Sequence, residues 1–227
     1  MARKYLISIV FILCLVSSGA KAQTTTSGEW LGVKLDFNLP KKFTFNVLGE
    51  TRILNNQINV YKNLIQFKLE YKLNKHFDIA ASYRFAWRKE ENSYFYSRNK
   101  IFADLNFDYP VKRFKFKDRL RYQRMTKDYI NSEWDKIPSH HIRNKFEVSY
   151  NIKNNKITPG LFAELFFPIQ DFRQRVLDEY RIGAELKYPT TKKQSLTVGL
   201  MYAARELYLN TFSVLLIRFR YNFKFKI

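Results

Sequence analysis

Cysteine is nearly absent, and its one occurrence, Cys14, lies inside the apolar run "LISIVFILCLV" of residues 6–16. That run follows Arg3 and Lys4 and precedes "SSGAKA", which places Ala20 and Ala22 three residues and one residue before a cut after Ala22. A basic start, a short apolar stretch and small residues at those two positions predict a cleaved secretory leader over 1–22, with Gln23 as the new N-terminus. Removing 22 of 227 residues leaves 205 and takes away the only thiol. Disulfide frameworks, thiol nucleophiles and cysteine metal sites are thereby excluded, and stability must come from packing and backbone pairing.

Glycine and histidine are also scarce, at 7 and 3 residues. The glycines are scattered, so no glycine-rich phosphate cradle exists. No His-x-x-x-His or acidic calcium-loop spacing occurs, and no cofactor is expected. Glu90-Glu91 and Asp178-Glu179 read as solvated strand-end charges. His76 lies in a predicted turn and reads as solvated or interfacial. "SHH" at 139–141, with Glu133 nearby, raises an esterase-like pairing. Neighbours on a strand point to opposite faces, however, so Ser139 and His140 are poorly placed to meet.

Acidic residues number 20 against 40 lysines and arginines. The leader carries Arg3, Lys4 and Lys21, so a net charge of +20 becomes +17. That excess invites nucleic acid, but the cations form no single patch or helix and the chain carries an export signal; no nucleic-acid partner is expected. No stretch beyond residue 22 approaches the ~20 apolar residues of a membrane helix, and the mean hydropathy is −0.39. A membrane strand needs only ~9–11 residues and alternates apolar with polar, so this absence leaves strands open.

What is abundant is alternation of period two. Leu31, Val33, Leu35, Phe37 and Leu39 share one face, with Gly32, Lys34, Asp36 and Asn38 on the other. Ile65 to Leu73, Phe77 to Trp87 and Leu215 to Phe225 repeat the pattern. A helix would scatter these apolar residues around its circumference, so they are strands. Eleven such segments follow one another with no helical stretch between them: 29–39, 43–53, 61–73, 77–88, 100–109, 114–124, 141–152, 157–167, 177–188, 194–205 and 211–227. Short turns centred near 41, 75, 111, 154 and 191 alternate with mostly longer connections at 54–60, 89–99, 125–140, 168–176 and 206–210. That sorting predicts an all-β, transmembrane, up-and-down antiparallel β-barrel of roughly 10–12 strands, with short periplasmic turns and longer outer loops, as one domain over 23–227.

Aromatics on the apolar face form two rows. Phe37, Tyr71, Tyr109, Tyr150 and Tyr188 lie near the short turns; Trp87, Tyr122, Tyr180 and Tyr202 lie at the opposite strand ends. These are candidate interface girdles. On the other face the candidate lumen-lining residues are Lys68, Glu70, Arg84, Lys115, Lys117, Arg119, Arg121, Lys145, Glu147, Arg181, Glu185, Arg218 and Arg220. So charged an interior in a narrow barrel predicts cross-linking by ion pairs, with a bias toward anionic solutes. Turn cations such as Lys41, Lys42, Lys112, Arg113, Lys192 and Lys193 predict contact with anionic headgroups. The expected partners are thus outer-membrane lipids, lipopolysaccharide and small anionic solutes.

Two features strain this reading. Single-chain bacterial barrels have even strand numbers, so either "TTTSGEW" (24–30) adds a strand or one segment leaves the wall. Asp118 and Asn144 fall on the apolar face, which predicts a bulge or register change there.

The chain resembles the outer-membrane β-barrel family known as domain of unknown function 2490. The resemblance rests on "GEWLGVKLDFNLPKKFTFNVLGETRI", "RQRVLDEYRIGAELKYP" and the aromatic-rich last strand, and spans the mature chain. It implies fold and outer-membrane location and carries no site residues. A non-enzymatic channel, structural or binding component is the expected role. The alternatives are a lipid-modifying hydrolase or acyltransferase built on His140 or His141, and an interaction scaffold.

Overall fold

The computed structural model describes residues 25–54, 60–90, 92–130, 136–169, 176–207 and 210–227, and only the backbone of 25, 206, 207, 210 and 211. The expected leader and its cleavage point lie outside these residues, as do Glu91 and Glu133. Eleven strands form: β1 (Thr25–Asn38), β2 (Phe43–Leu54), β3 (Val60–Lys72), β4 (Phe77–Lys89), β5 (Phe95–Val111), β6 (Phe114–Lys127), β7 (Ser139–Tyr150), β8 (Thr158–Ile169), β9 (Glu179–Thr191), β10 (Gln194–Leu207) and β11 (Asn210–Lys226). Each pairs with its sequence neighbours, and β1 meets β11 to close the barrel.

The parity expectation is corrected here. All eleven segments stand in the wall, and residues 25–30 of the threonine-rich stretch lengthen β1 without forming a separate strand. An odd run of antiparallel neighbours leaves its first and last strands pointing the same way. Closure is therefore parallel, in unbroken register from Thr25↔Ser213 to Asn38↔Lys226. The other pairings are antiparallel, so only this seam departs from the up-and-down pattern.

The bulge expected at Asp118 and Asn144 is also absent. β6 and β7 keep continuous register from Phe114↔Tyr150 to Met125↔Ser139. Asp118 stays outward between Phe116 and Leu120, and Asn144 Nδ2 donates to its Oδ1 at 2.8 Å. That bond pairs the two outward polar groups with each other while the backbone register stays continuous. Register shifts occur instead at Arg52/Ile53 and Gln194/Ser195.

The connections sort as expected with two exceptions. At the turn end the connection 151–157, at seven residues, exceeds the five of 55–59 and of 90–94 at the loop end. β10 and β11 are joined by 208–209 alone, and β5 begins at Phe95, so strands extend further into the loop end than alternation revealed. At the other end Leu39 N donates to Phe43 O and Phe43 N to Pro40 O, closing a turn in which Lys41 and Lys42 both hold positive φ (55° and 67°). Asn74 Oδ1 caps the next turn by accepting from His76 N and Phe77 N.

Burial follows the pleat. In β8, Phe162, Glu164 and Phe166 are buried while Leu161, Ala163 and Leu165 are exposed. Outward faces carry Leu69, Ile79, Leu105, Leu120, Phe146, Leu200 and Ile217, all well exposed. Towards the short turns this belt becomes aromatic, with Phe37 stacked on Phe225 at 5.1 Å and Phe114 against Tyr150 at 4.8 Å. Towards the loops, Trp87 meets Phe85 edge-on at 4.4 Å and Tyr180 approaches Tyr202 at 6.2 Å.

Gly183 shows how tightly the inner wall is packed. A Cβ there would lie 2.5 Å from the Leu200 carbonyl oxygen and 2.7 Å from the Phe162 ring. Glycine lets the ring lie flat against the β9 backbone. Gly183→Ala is expected to cost about 1–3 kcal/mol through overpacking, read as a lower denaturant midpoint with the barrel still folded at low denaturant.

Candidate functional site: the charged barrel interior

The interior is built by the polar phase of every strand. Each candidate inner residue has an identifiable neighbour. Lys68 pairs with Glu70 at 2.5 Å, and Lys115 with Asp108 at 2.5 Å. Lys117 and Lys145 both reach Glu147, at 3.3 and 3.0 Å. Arg121 Nε and Nη2 donate to the two oxygens of Asp104, each at 2.6 Å. Arg218 pairs with Glu185, and Arg220 reaches over β1 to Glu50 at 3.0 Å. Arg84 meets no carboxylate among the described residues and donates through Nε and Nη2 to Gln66 Oε1.

Glu164 is the main junction. Arg119 Nη2 donates to its Oε1 at 2.5 Å, Arg143 Nη2 at 2.7 Å, and Arg181 Nη1 lies 3.9 Å from Oε2. Arg181 also pairs with Glu179 at 2.5 Å. One carboxylate on β8 thus ties cations from β6, β7 and β9.

Sequence reasoning missed the aromatic platforms inside. Trp30, Phe102, Phe162 and Phe166 are buried, and guanidiniums stack on them. Arg52 lies 3.5 Å from the Trp30 ring centroid, Arg121 4.3 Å from Phe102, and Arg143 4.2 Å from Phe166. Lys145 lies 4.5 Å from Phe162. Such contacts hold a cation where water is scarce. The signal was present: each ring falls on the polar phase of its strand, Phe102 between Lys100 and Asp104, and Phe162 and Phe166 on either side of Glu164. Sequence reasoning likewise passed over Glu50, Arg52, Lys62, Lys100, Asp104, Arg143 and Glu164, although they share the inner face.

Nearer the short turns the filling loosens. A cavity of about 240 Å³ is lined by residues including Lys68, Glu70, Asp78, Asn106, Arg119 and Lys145. At the loop end Asp178 closes over the interior, within 3.2 Å of His141 Nε2 and 3.4 Å of Arg205 Nη2.

The girdle candidates lie on the outward phase. Trp87, Tyr109, Tyr122, Tyr180 and Tyr188 are exposed, while Phe37, Tyr71, Tyr150 and Tyr202 are half-buried beside neighbouring rings. The histidines separate. His76 Nδ1 contacts Asp108 O at 2.9 Å beside Tyr109 at the short-turn end. His140 points outward to the Tyr122 hydroxyl at 2.7 Å, while His141 points inward. Ser139 Oγ makes no hydrogen bond, so neither histidine activates it in this arrangement. Among the described residues no group of three or more potential metal ligands gathers.

Comparison with known proteins bears on fold and family. The structure titled "NanC porin structure in rhombohedral crystal form" matches with a TM-score of 0.54 at 16% identity, covering 83% of this chain and 92% of that one. A second, titled "Bacterial polysaccharide outer membrane secretin", matches with a TM-score of 0.51 at 10% identity, covering 78% of this chain and 63% of that one. At these identities the likeness concerns the barrel alone. No curated protein matches the chain in sequence. The family described as "Protein of unknown function (DUF2490)" matches residues 27–207, from near the start of β1 to the last residue of β10, and the chain belongs to that family.

Proposed function

We propose that this protein is exported, loses residues 1–22, and resides in the outer membrane as a non-enzymatic barrel whose interior admits small anionic solutes. The observation that carries this reading is the pairing of an apolar outward belt with an inner face where lysine and arginine outnumber carboxylates. A closed wall leaves no backbone edge unpaired, so the belt can meet lipid at no hydrogen-bonding cost. The likeness to a porin fold is compatible with this and, because folds host many functions, does not by itself assign a solute.

The short turns add support. Lys41, Lys42 and Lys112 hold positive φ, a conformation that asparagine or glycine adopts at lower cost. Lysine at those positions is therefore poor turn chemistry, and charge is the property it supplies. Contact with anionic headgroups, including those of lipopolysaccharide, uses that charge at about 1 kcal/mol per cation.

The reading is tested by inserting purified protein into planar bilayers across a salt gradient. Because ion pairs and stacked rings cross the interior, a small unit conductance is expected, with a reversal potential on the anion-selective side. Absence of current where a known porin conducts removes the channel, and a cation-selective potential removes the anion preference. His140 and His141 face opposite ways and Ser139 engages neither, an arrangement that lends the lipid-modifying alternative no support; an altered lipid composition in cells carrying a change at His140 or His141 would favour it.

A further inference from the structure

We infer that the outward face of β6 and β7 is where a second copy of this chain packs within the bilayer, centred on the hydrogen-bonded pair Asp118–Asn144. This rests on the reading that the outward belt meets lipid, and it names what interrupts that lipid.

The pair is the wrong chemistry for hydrocarbon. Asp118 pairs in register with Phe107 on β5 and Phe146 on β7, and Asn144 with Leu120 on β6 and Leu165 on β8. Phe116 and Leu120 flank Asp118 on its own strand, and Leu120, Phe146 and Leu165 are exposed on the outer surface. Asn144 stands midway along β7 and Asp118 bonds to it, so the pair lies inside the apolar belt. Among the described residues the polar contact of these two side chains is the single bond from Asn144 Nδ2 to Asp118 Oδ1 at 2.8 Å. That leaves a second carboxylate oxygen, a second amide N–H and the amide oxygen. Acyl chains offer no donor or acceptor to any of them. Ionisable groups at such depth persist where protein or water meets them.

A second copy meets these groups because the pair is its own complement. Two chains inserted the same way share a twofold axis only along the bilayer normal, so like depths face each other. With that axis between β6 and β7, Asp118 of each copy comes opposite Asn144 of the other. The spare amide N–H of each then donates to the spare carboxylate oxygen of the other. Each carboxylate thereby accepts from two amides, which stand between the two charges. Leu120, Phe146 and Leu165 supply the apolar rim. The wall from β9 to β11 shows the contrast: Ala184, Leu200 and Ile217 stand side by side there and present nothing that lipid cannot meet.

The test uses the full chain carrying Cys14→Ser in lipid vesicles at high lipid-to-protein ratio. Single-molecule photobleaching of labelled barrels should count two chains together. Leu120→Cys, beside the pair, is expected to give a covalent dimer with a thiol cross-linker, and Leu200→Cys on β10 is not. Asp118→Leu/Asn144→Leu should shift the balance towards single chains by about tenfold, the worth of two modest hydrogen bonds in lipid. Heat-modifiable migration checks that this variant still closes its barrel. Single chains in the wild type, bare or with another molecule bound, overturn the interface. So does equal cross-linking at both cysteines, or pairing that the double variant leaves unchanged. If the double variant does not fold, the two cysteine variants decide alone. A dimer without bilayer current keeps the interface and removes the channel; anion-selective current from single chains does the reverse. Lipid contact is read separately from Leu200→Arg, so single chains in vesicles leave the lipid-facing belt standing.

Discussion

Glu164→Gln is expected to destabilise the barrel by about 3–5 kcal/mol, the range for removing one partner of a buried charge network. Glutamine keeps the volume and an acceptor but not the charge. Arg119 and Arg143 then lose the carboxylate they share, Arg181 loses one of two, and the Phe162 and Phe166 rings nearby cannot balance them. Unfolding by denaturant in lipid vesicles, followed by tryptophan fluorescence and by heat-modifiable gel migration, measures the loss. Adding Arg143→Met to Glu164→Gln should recover part of it, because the remaining cations repel less and Met can cover Phe166. A loss below about 1 kcal/mol would show that water already screens the junction, as it does at exposed ion pairs.

Leu200→Arg tests what the outward face touches. Leu200 is 50% exposed, lies midway along β10, and has Ile217 and Ala184 as cross-strand neighbours. In a bilayer an arginine at mid-depth on the lipid side costs about 2–4 kcal/mol. On a water-facing strand the same change stays within about 0.5 kcal/mol. Equilibrium unfolding in vesicles of wild type and variant distinguishes the two. A near-zero difference would remove lipid from the outer face and with it the proposed location. Lys117→Leu, on the inner side of β6, should show no loss of that size, because it gives up only a solvated ion pair with Glu147.

How much is legible without the structure varies from strand to strand. The phase of each strand is legible because the side-chain period of two is local: an alternation such as Ile65, Phe67 and Leu69 against Gln66, Lys68 and Glu70 needs no partner strand to be read. Strand ends are less legible. β5 starts at Phe95, earlier than the alternation begins at Lys100, because ladder hydrogen bonds to β4 and β6 hold residues whose own pattern is irregular. Asp118 and Asn144 look like a fault in the wall when each is taken alone. The bond between them is a cross-strand event, visible only once β6 and β7 are placed side by side.

The interior is legible as charged and not as organised. Alternation assigns Arg119, Arg143, Glu164 and Arg181 to one face, but whether they meet depends on strand register and barrel curvature. The same holds for the aromatic platforms, where Arg52 finds Trp30 from a neighbouring strand.

By itself the sequence determined the building units: eleven alternating segments, their inner and outer phases, an apolar belt with aromatic ends, and an interior rich in cations. These depend on residue type and spacing alone. Only the tertiary structure decided the parallel β1–β11 seam, since parity constrains direction and closure alone creates the pair. It likewise decided which cations find a carboxylate and which, at Lys62, Arg84 and Lys100, find none among the described residues. Charge compensation depends on distances between strands far apart in the chain, and no local pattern encodes those distances.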